Sequence, residues 1–207
     1  MKISKRNLRQ IIKETLEDEY KEAIIDLFKN GQPQQAEEMA KMFGSYDFFA
    51  GMSMAGFNLS HFNMSQMNLS GANMRGVSLN GTQLVGANLS GVNLSSQVGE
   101  KYTIGYQTNF ENADLSGALL TKADFEEASF VGANLSNVRG KNTKFELSNL
   151  KNANLRNAHL RGANFNGCNL EGADLSGANL LGARFRKANL KNIKYDEDTK
   201  WPKGFAL

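Results

Sequence analysis

The sequence predicts a solenoid preceded by a helical head, and three observations carry that expectation. Every fifth residue from Leu59 to Leu94, and again from Phe110 to Tyr195, is large and apolar with the single exception of Gly140. The residue two places earlier is usually Ala, Val, Thr or Ser. A longer period lies over the first, because Phe125, Phe145, Phe165 and Phe185 recur at intervals of twenty. A period of five matches neither the roughly 3.6 residues of a helical turn nor the roughly 2 of a flat strand, so the chain has to turn a corner in every quintet. Four quintets then make one coil.

The head occupies residues 1–50. Leu8, Ile11, Ile12, Leu16, Tyr20, Ala23, Ile24, Leu27 and Phe28 recur at three and four places, one apolar stripe on a helix over residues 5–29. Asn30-Gly31 supplies its stop, and Pro33 suits the first turn of a second short helix that carries Ala36, Met39, Ala40 and Phe43 and ends near Gly44. Two such helices bury little by themselves. They are expected to cap the open end of the solenoid, covering backbone edges that would otherwise recruit another chain. A membrane-surface or partner-binding helix is the competing reading of the same stripe.

The repeat region covers residues 51–195. In its first block the slots two before the central residue shrink from Phe57 and Phe62 through Met67 to Ala72, a taper expected where the interior widens to meet the head. Between Leu94 and Phe110 the spacing is sixteen, three quintets plus one residue. Residues 95–107 therefore form either an extruded loop or a coil distorted by a one-residue bulge, and the single extra residue favours the bulge. Tyr102, Ile104 and Tyr106 serve either inward packing or an exposed binding tip, and this irregular point is the first place to look for a grafted function.

In the second block the small slots run from Thr108 and Ala113 to Ala188 and include Cys168. Both the large and the small sets face inward, since an Ala in a central position would leave a void and a Leu in a small slot would overfill it. Gly or Asn two residues after the central one marks a corner that demands positive φ. Asn or Asp just before the central residue, as at Asn58, Asn88, Asp114, Asn154 and Asp174, is placed to bond nearby backbone and hold that corner. The tail, residues 196–207, is expected to fold Trp201 and Phe205 across the apolar end of the last coil, with a dimer seam as the alternative.

Ala173-Asp174-Leu175-Ser176-Gly177 and Ala178-Asn179-Leu180-Leu181-Gly182 resemble the pentapeptide-repeat family, whose consensus is a small residue, Asn or Asp, Leu or Phe, and two variable positions. The resemblance covers about two thirds of the chain. It implies a right-handed quadrilateral parallel β-helix, a β-solenoid with square coils and stacked phenylalanines, and homodimers made where C-terminal ends meet. About seven coils at the roughly 4.8 Å spacing of adjacent strands give a rod near 35 Å long. Some members similar to this fold bind type II topoisomerases by presenting an acidic, DNA-like rod. This sequence departs from that pattern: Glu111, Asp114, Asp124, Glu126 and Glu127 form a modest acidic cluster, and basic residues follow at once.

Charge is unevenly distributed behind the net +3. Residues 136–207 carry thirteen basic and six acidic groups, whereas residues 51–135 carry three and six. Folding by twenties puts Lys141 above Arg161 and Arg139 above His159 on one face, with Arg156 at the neighbouring corner. These five, with Tyr102 and Tyr106, are the candidate partner-binding residues, and a solvated surface is the plainer reading of the basic set. Lys151, Glu171 and Lys191 make a column of alternating sign that explains itself structurally. A nucleic-acid partner is disfavoured, because Phe125, Phe145, Phe165 and Phe185 are expected to form the structural core and leave no stacking platform.

No catalytic constellation is legible. His61 and His159 lie in different coils without a matching cysteine or carboxylate arrangement, and the glycines mark corners without opening a phosphate-binding loop. Cys168 is the only cysteine, so an intramolecular disulfide is excluded, and its slot predicts a buried, inert thiol. The expectation is a noncatalytic binding or scaffold rod of unidentified protein partner, with a structural spacer as the alternative and neither cofactor nor metal. The charged amphipathic opening and the lack of a long apolar stretch lead to the expectation of a cytoplasmic protein.

Overall fold

The computed structural model describes residues 22–27, 30, 32, 35, 49–96 and 102–206. Its ladder consists of single-residue parallel bridges in four columns. Face one is the column Ser53, Asn73, Asn93, Leu119, Arg139, His159, Asn179 and Lys200. Face two runs from Asn58 through Ile104, Asp124 and Lys144 to Arg184, face three from Asn63 to Asn189, and face four from Asn68 to Lys194. One residue in five thus pairs on each face, and seven coils follow, beginning at Ser53, Asn73, Asn93, Leu119, Arg139, His159 and Asn179.

The ladder's chemistry repeats at every step. Phe145 N–H donates to the Asn164 carbonyl at 2.8 Å, and Asn164 N–H donates back to the Thr143 carbonyl at 3.0 Å. Between faces the chain turns through a corner whose second residue has positive φ, filled by Gly or by residues such as Asn142 and Asn152, both at φ 57°. The Asn or Asp ahead of the central residue holds that corner as the sequence predicts: Asn58 Oδ1 accepts from Ser60 N–H at 3.2 Å, and Asp114 Oδ1 from Ser116 N–H at 3.0 Å. The same amides ladder between coils, with Asn154 Nδ2 donating to Asn134 Oδ1 and Asn134 Nδ2 to Asp114 Oδ1, each at 3.0 Å.

Inside, central and small slots fill a continuous dry core. Phe125, Phe130, Phe145 and Phe165 are fully buried, as are Ala123, Ala158 and Ala163. Phe145 stacks on Phe165 at 5.2 Å and Phe165 on Phe185 at 5.1 Å, with interplanar angles of 8° and 7°. Phe110 and Phe130 form a second, shorter stack at 4.7 Å on the adjoining face. Three threonine hydroxyls are tolerated in small slots because each finds the same kind of acceptor. Thr82, Thr108 and Thr143 donate to the carbonyls of Leu59, Leu79 and Leu120, the central residues of the preceding coil, at 2.6 to 2.7 Å.

The distorted-coil expectation for residues 95–107 is corrected. Bridges elsewhere join residues twenty apart, but Ser78 pairs with Ile104, so this coil holds six residues more. The ladder passes from Ser96 to Thr103, which are joined by a hydrogen bond from Thr103 N–H to Ser96 Oγ at 2.8 Å. Thr103 Oγ1 also accepts from Gly76 N–H at 2.9 Å, standing in for the missing ladder carbonyl. The ladder is regular up to Ser96 and again from Thr103, and residues 97–101 between them lie outside the described residues. Thr103-Ile104-Gly105-Tyr106-Gln107 then forms an ordinary quintet whose central slot is Gly105. The apolar period misses it because the Phe125 ring fills that slot, 2.7 Å from where a Gly105 Cβ would lie. At Gly140 the side chain of Leu160 fills the gap in the same way, at 2.8 Å.

The central series also runs further than Leu59 to Tyr195. Phe49 and Met54 are buried in phase with it. At the other end Lys200 pairs with Asn179, placing Trp201 in a central slot after one additional residue. The tail thus starts another turn of the ladder as well as covering the last coil. Of the head, Glu22–Leu27 is helical. Ile24 is fully buried within the core cluster and Leu27 packs against it, together with Met52, Phe57 and Phe62. The remainder of the expected helix over 5–29 and most of the second helix, including Phe43, lie outside the described residues.

Replacing Phe165 by Ala removes the middle ring of the stack and is expected to cost about 3–5 kcal/mol. Urea denaturation of parent and variant measures it, with a loss near zero marking a stack that contributes nothing.

Candidate functional site

The four ladder columns decide which predicted residues come together. On face one, Arg139 and His159 are directly bridged neighbours in successive coils. Lys141 and Arg161 occupy equivalent positions at the corner that follows, and all four side chains are exposed. Among the described residues, neither Arg139, Lys141 nor Arg161 has an ion-pair partner. Arg156 stands apart from this set. It sits at the preceding corner, where Nη1 reaches Asp174 Oδ2 at 3.2 Å. Burial works against the Asp174 charge, but hydrogen bonds from Ser176 and Arg156 outweigh it and hold the carboxyl below its ordinary range.

Tyr102 and Tyr106 lie in the third coil, away from the basic face, and both point outward with Ile104. Inward packing, one of the two readings for these three, belongs instead to Thr103 and Gly105. Tyr106 Oη donates to Glu127 Oε2 at 2.7 Å, and Gln107 Nε2 donates to the same oxygen at 3.0 Å. These bonds hold the Glu127 carboxyl below its ordinary range and raise the Tyr106 phenol.

Two further ion pairs cross between coils. Lys144 Nζ lies 2.7 Å from Asp124 Oδ2, and Lys151 Nζ lies 3.3 Å from Glu171 Oε1, the alternating column expected from the sequence. The first interrupts the acidic cluster with a cation, and the hydrogen bond from Lys144 to Asp124 raises the ammonium's affinity for its proton. Exposed pairs of this kind contribute at most about 1 kcal/mol each.

At the C-terminal end Trp201 and Phe205 stack at 4.9 Å and lie against Phe185 at 6.0 and 5.2 Å, while Tyr195 meets Trp201 edge-on at 5.8 Å. The tail continues the aromatic column and covers its last ring.

A family description for pentapeptide repeats, in 8 copies, matches residues 54–95, 108–152 and 153–192, well over half of the sequence. The chain belongs to the pentapeptide-repeat family. Membership carries the right-handed quadrilateral β-helix as fold class, and the four bridge columns are its ladders. Among solved structures of pentapeptide-repeat proteins, Rfr23 from the cyanobacterium Cyanothece 51142 is 33% identical over 57% of this chain and 90% of its own, with a TM-score of 0.35. HetL from Nostoc sp. strain PCC 7120, involved in heterocyst differentiation regulation, is 22% identical over 70% of this chain and 87% of its own, with a TM-score of 0.33. QnrB1, a plasmid-mediated fluoroquinolone resistance protein, is 18% identical over 70% of this chain and 90% of its own, with a TM-score of 0.44. No curated protein sequence matches significantly.

Within this pentapeptide-repeat chain no cluster of His, Cys, Asp and Glu suited to a metal occurs among the described residues. No helix among them is long and apolar enough to cross a membrane. Cys168 is buried beside Ser148, whose Oγ lies 3.3 Å from its sulfur, and the thiol donates to the Phe145 carbonyl. Burial pushes the thiol up to about 11 from an ordinary 9.0. Ionisation is thus easier in the unfolded chain, so Cys168 is expected to cost the folded state stability as pH rises from about 9 towards 11. Denaturation midpoints of parent and C168A at about pH 8 and pH 10.5 check this: the parent should lose stability relative to C168A at the higher pH.

Proposed function

We propose that this protein is a noncatalytic binding rod whose face one recognises an acidic protein surface. The observation supporting this reading is the set Arg139, Lys141 and Arg161, with His159, exposed and without ion-pair partners in adjacent coils. Like charges held one strand spacing apart repel, and a carboxylate-bearing partner relieves that repulsion on binding. The same protein neutralises Arg156, Lys144 and Lys151 with carboxylates of neighbouring coils, whereas the cations beside face one carry no such partner among the described residues. A flat, rigid face adds little ordering cost to association.

A protein partner is favoured over nucleic acid because the phenylalanines are turned inward, leaving bases nothing to stack on beside the cations. A DNA-mimic role draws less support, since Lys144 sits within the acidic cluster and basic residues occupy the following coils. The head helix, on this reading, closes the N-terminal end through Ile24 and Leu27 and leaves the faces free.

Affinity capture from an extract of the native source tests the proposal. The protein retained by the parent chain is expected to be lost with the combined variant R139E/K141E/R161E and kept with K191E, which alters a charge at another corner. Equal recovery by both variants would reject face one.

A further inference from the structure

The corner between faces two and three carries a reversal of charge along the rod. Its two columns hold Glu126 and Glu127 in coil four, Glu146 and Leu147 in coil five, Asn166 and Gly167 in coil six, and Arg186 and Lys187 in coil seven. Among the described residues, Glu126, Glu146, Arg186 and Lys187 make no ion pair. A shallow groove of about 380 Å³ runs beside these columns and is lined by all of these residues except Glu127. In its middle stands Leu147, 58% exposed. It is the one apolar side chain among the described non-glycine corner residues with positive φ, at 58°, a position that elsewhere takes Asn, Gln, His, Lys or Glu. An exposed leucine in a left-handed corner is unfavourable twice over, by conformation and by solvation, and its packing over Gly167 in the next coil still leaves it 58% exposed.

We infer that this corner is a self-association surface, on which a second copy of this chain lies antiparallel to the first. A two-fold axis in the plane between two rods, perpendicular to their length, keeps each column opposite itself and reverses the order of coils. Coil four then faces coil seven of the partner, and coil five faces coil six. Glu126 meets the column position of Arg186, Glu127 that of Lys187, and Leu147 that of Gly167, which each copy already covers with its own Leu147, so the two leucines meet across the axis. A parallel pairing would set each charge against its own copy, so the pattern also selects the direction. The strip spans three coil spacings, about 14 Å, and buries far less than the roughly 1,200 Å² of a stable complex. The association is weak and salt-dependent, a means of clustering rods that leaves face one free.

Sedimentation equilibrium of the full chain at high concentration, in about 20 mM and about 500 mM salt, tests it. Self-association is expected at low salt and lost at high salt. E126K/E127K and R186E/K187E should each weaken it roughly tenfold or more, and the combined four-residue variant should restore it, because the swapped charges again face their opposites. Replacing Leu147 by Asn, the residue used at neighbouring corners, should raise the melting temperature of the monomer while weakening association. W201A distinguishes this from a seam at the C-terminal end, which it would break and the charge swap would leave untouched. A monomer at low salt, an association that the swap fails to rescue, or one abolished by W201A alone would overturn the inference.

Discussion

Because each coil donates to and accepts from the next at every face, a residue's column is settled as soon as its place in the quintet and the register are known. The parallel backbone ladder therefore does two things together. It satisfies the main-chain groups that a corner in every five residues would otherwise leave unpaired, and it stacks like side chains over one another at strand spacing. Inside, stacking like on like is favourable. Phenylalanine lies on phenylalanine at just over 5 Å, and alanine leaves the width that the rings require. Outside, the same rule is neutral for asparagine, which ladders its amides, and unfavourable for charge.

That asymmetry organises the surface. Where opposite charges fall in one column, as with Lys144 and Asp124 or Lys151 and Glu171, the ladder holds them as ion pairs. Where like charges fall together, the fold offers no ion pair from the neighbouring coil, and the side chains remain available to something else. Arg139, Lys141 and Arg161 make one such set on face one, and the two ends of the corner between faces two and three make another. A rigid rod thus presents its charges as fixed rows, and recognition becomes a matter of matching a row.

Departures from the period show how the core absorbs exceptions. Gly105 and Gly140 stand where a large residue belongs, and in each case a ring or branched side chain from the next coil moves into the space, so no void opens. The six additional residues after coil two leave the ladder intact, because Ser96 and Thr103 close it with side-chain hydroxyls in place of main-chain groups.

From the amino-acid order alone came the corner in each quintet, the coil of four, the inward slots, the Asn-held turns and the stacking of Phe125, Phe145, Phe165 and Phe185. All of these are local or strictly periodic, and periodicity survives in a linear string. Hidden from it were the departures from the period, each decided by a side chain or a pairing in an adjoining coil. That Gly105 is a core position depends on the Phe125 ring, that Arg156 is already engaged depends on Asp174, and that Trp201 joins the central series depends on Lys200 pairing with Asn179. The candidate basic face was half legible: its columns followed from the period, whereas which cations remain unpaired required side-chain positions across coils. Tertiary structure decided those points because packing and ion pairing act between coils, while the quintet pattern records only how the chain turns within one.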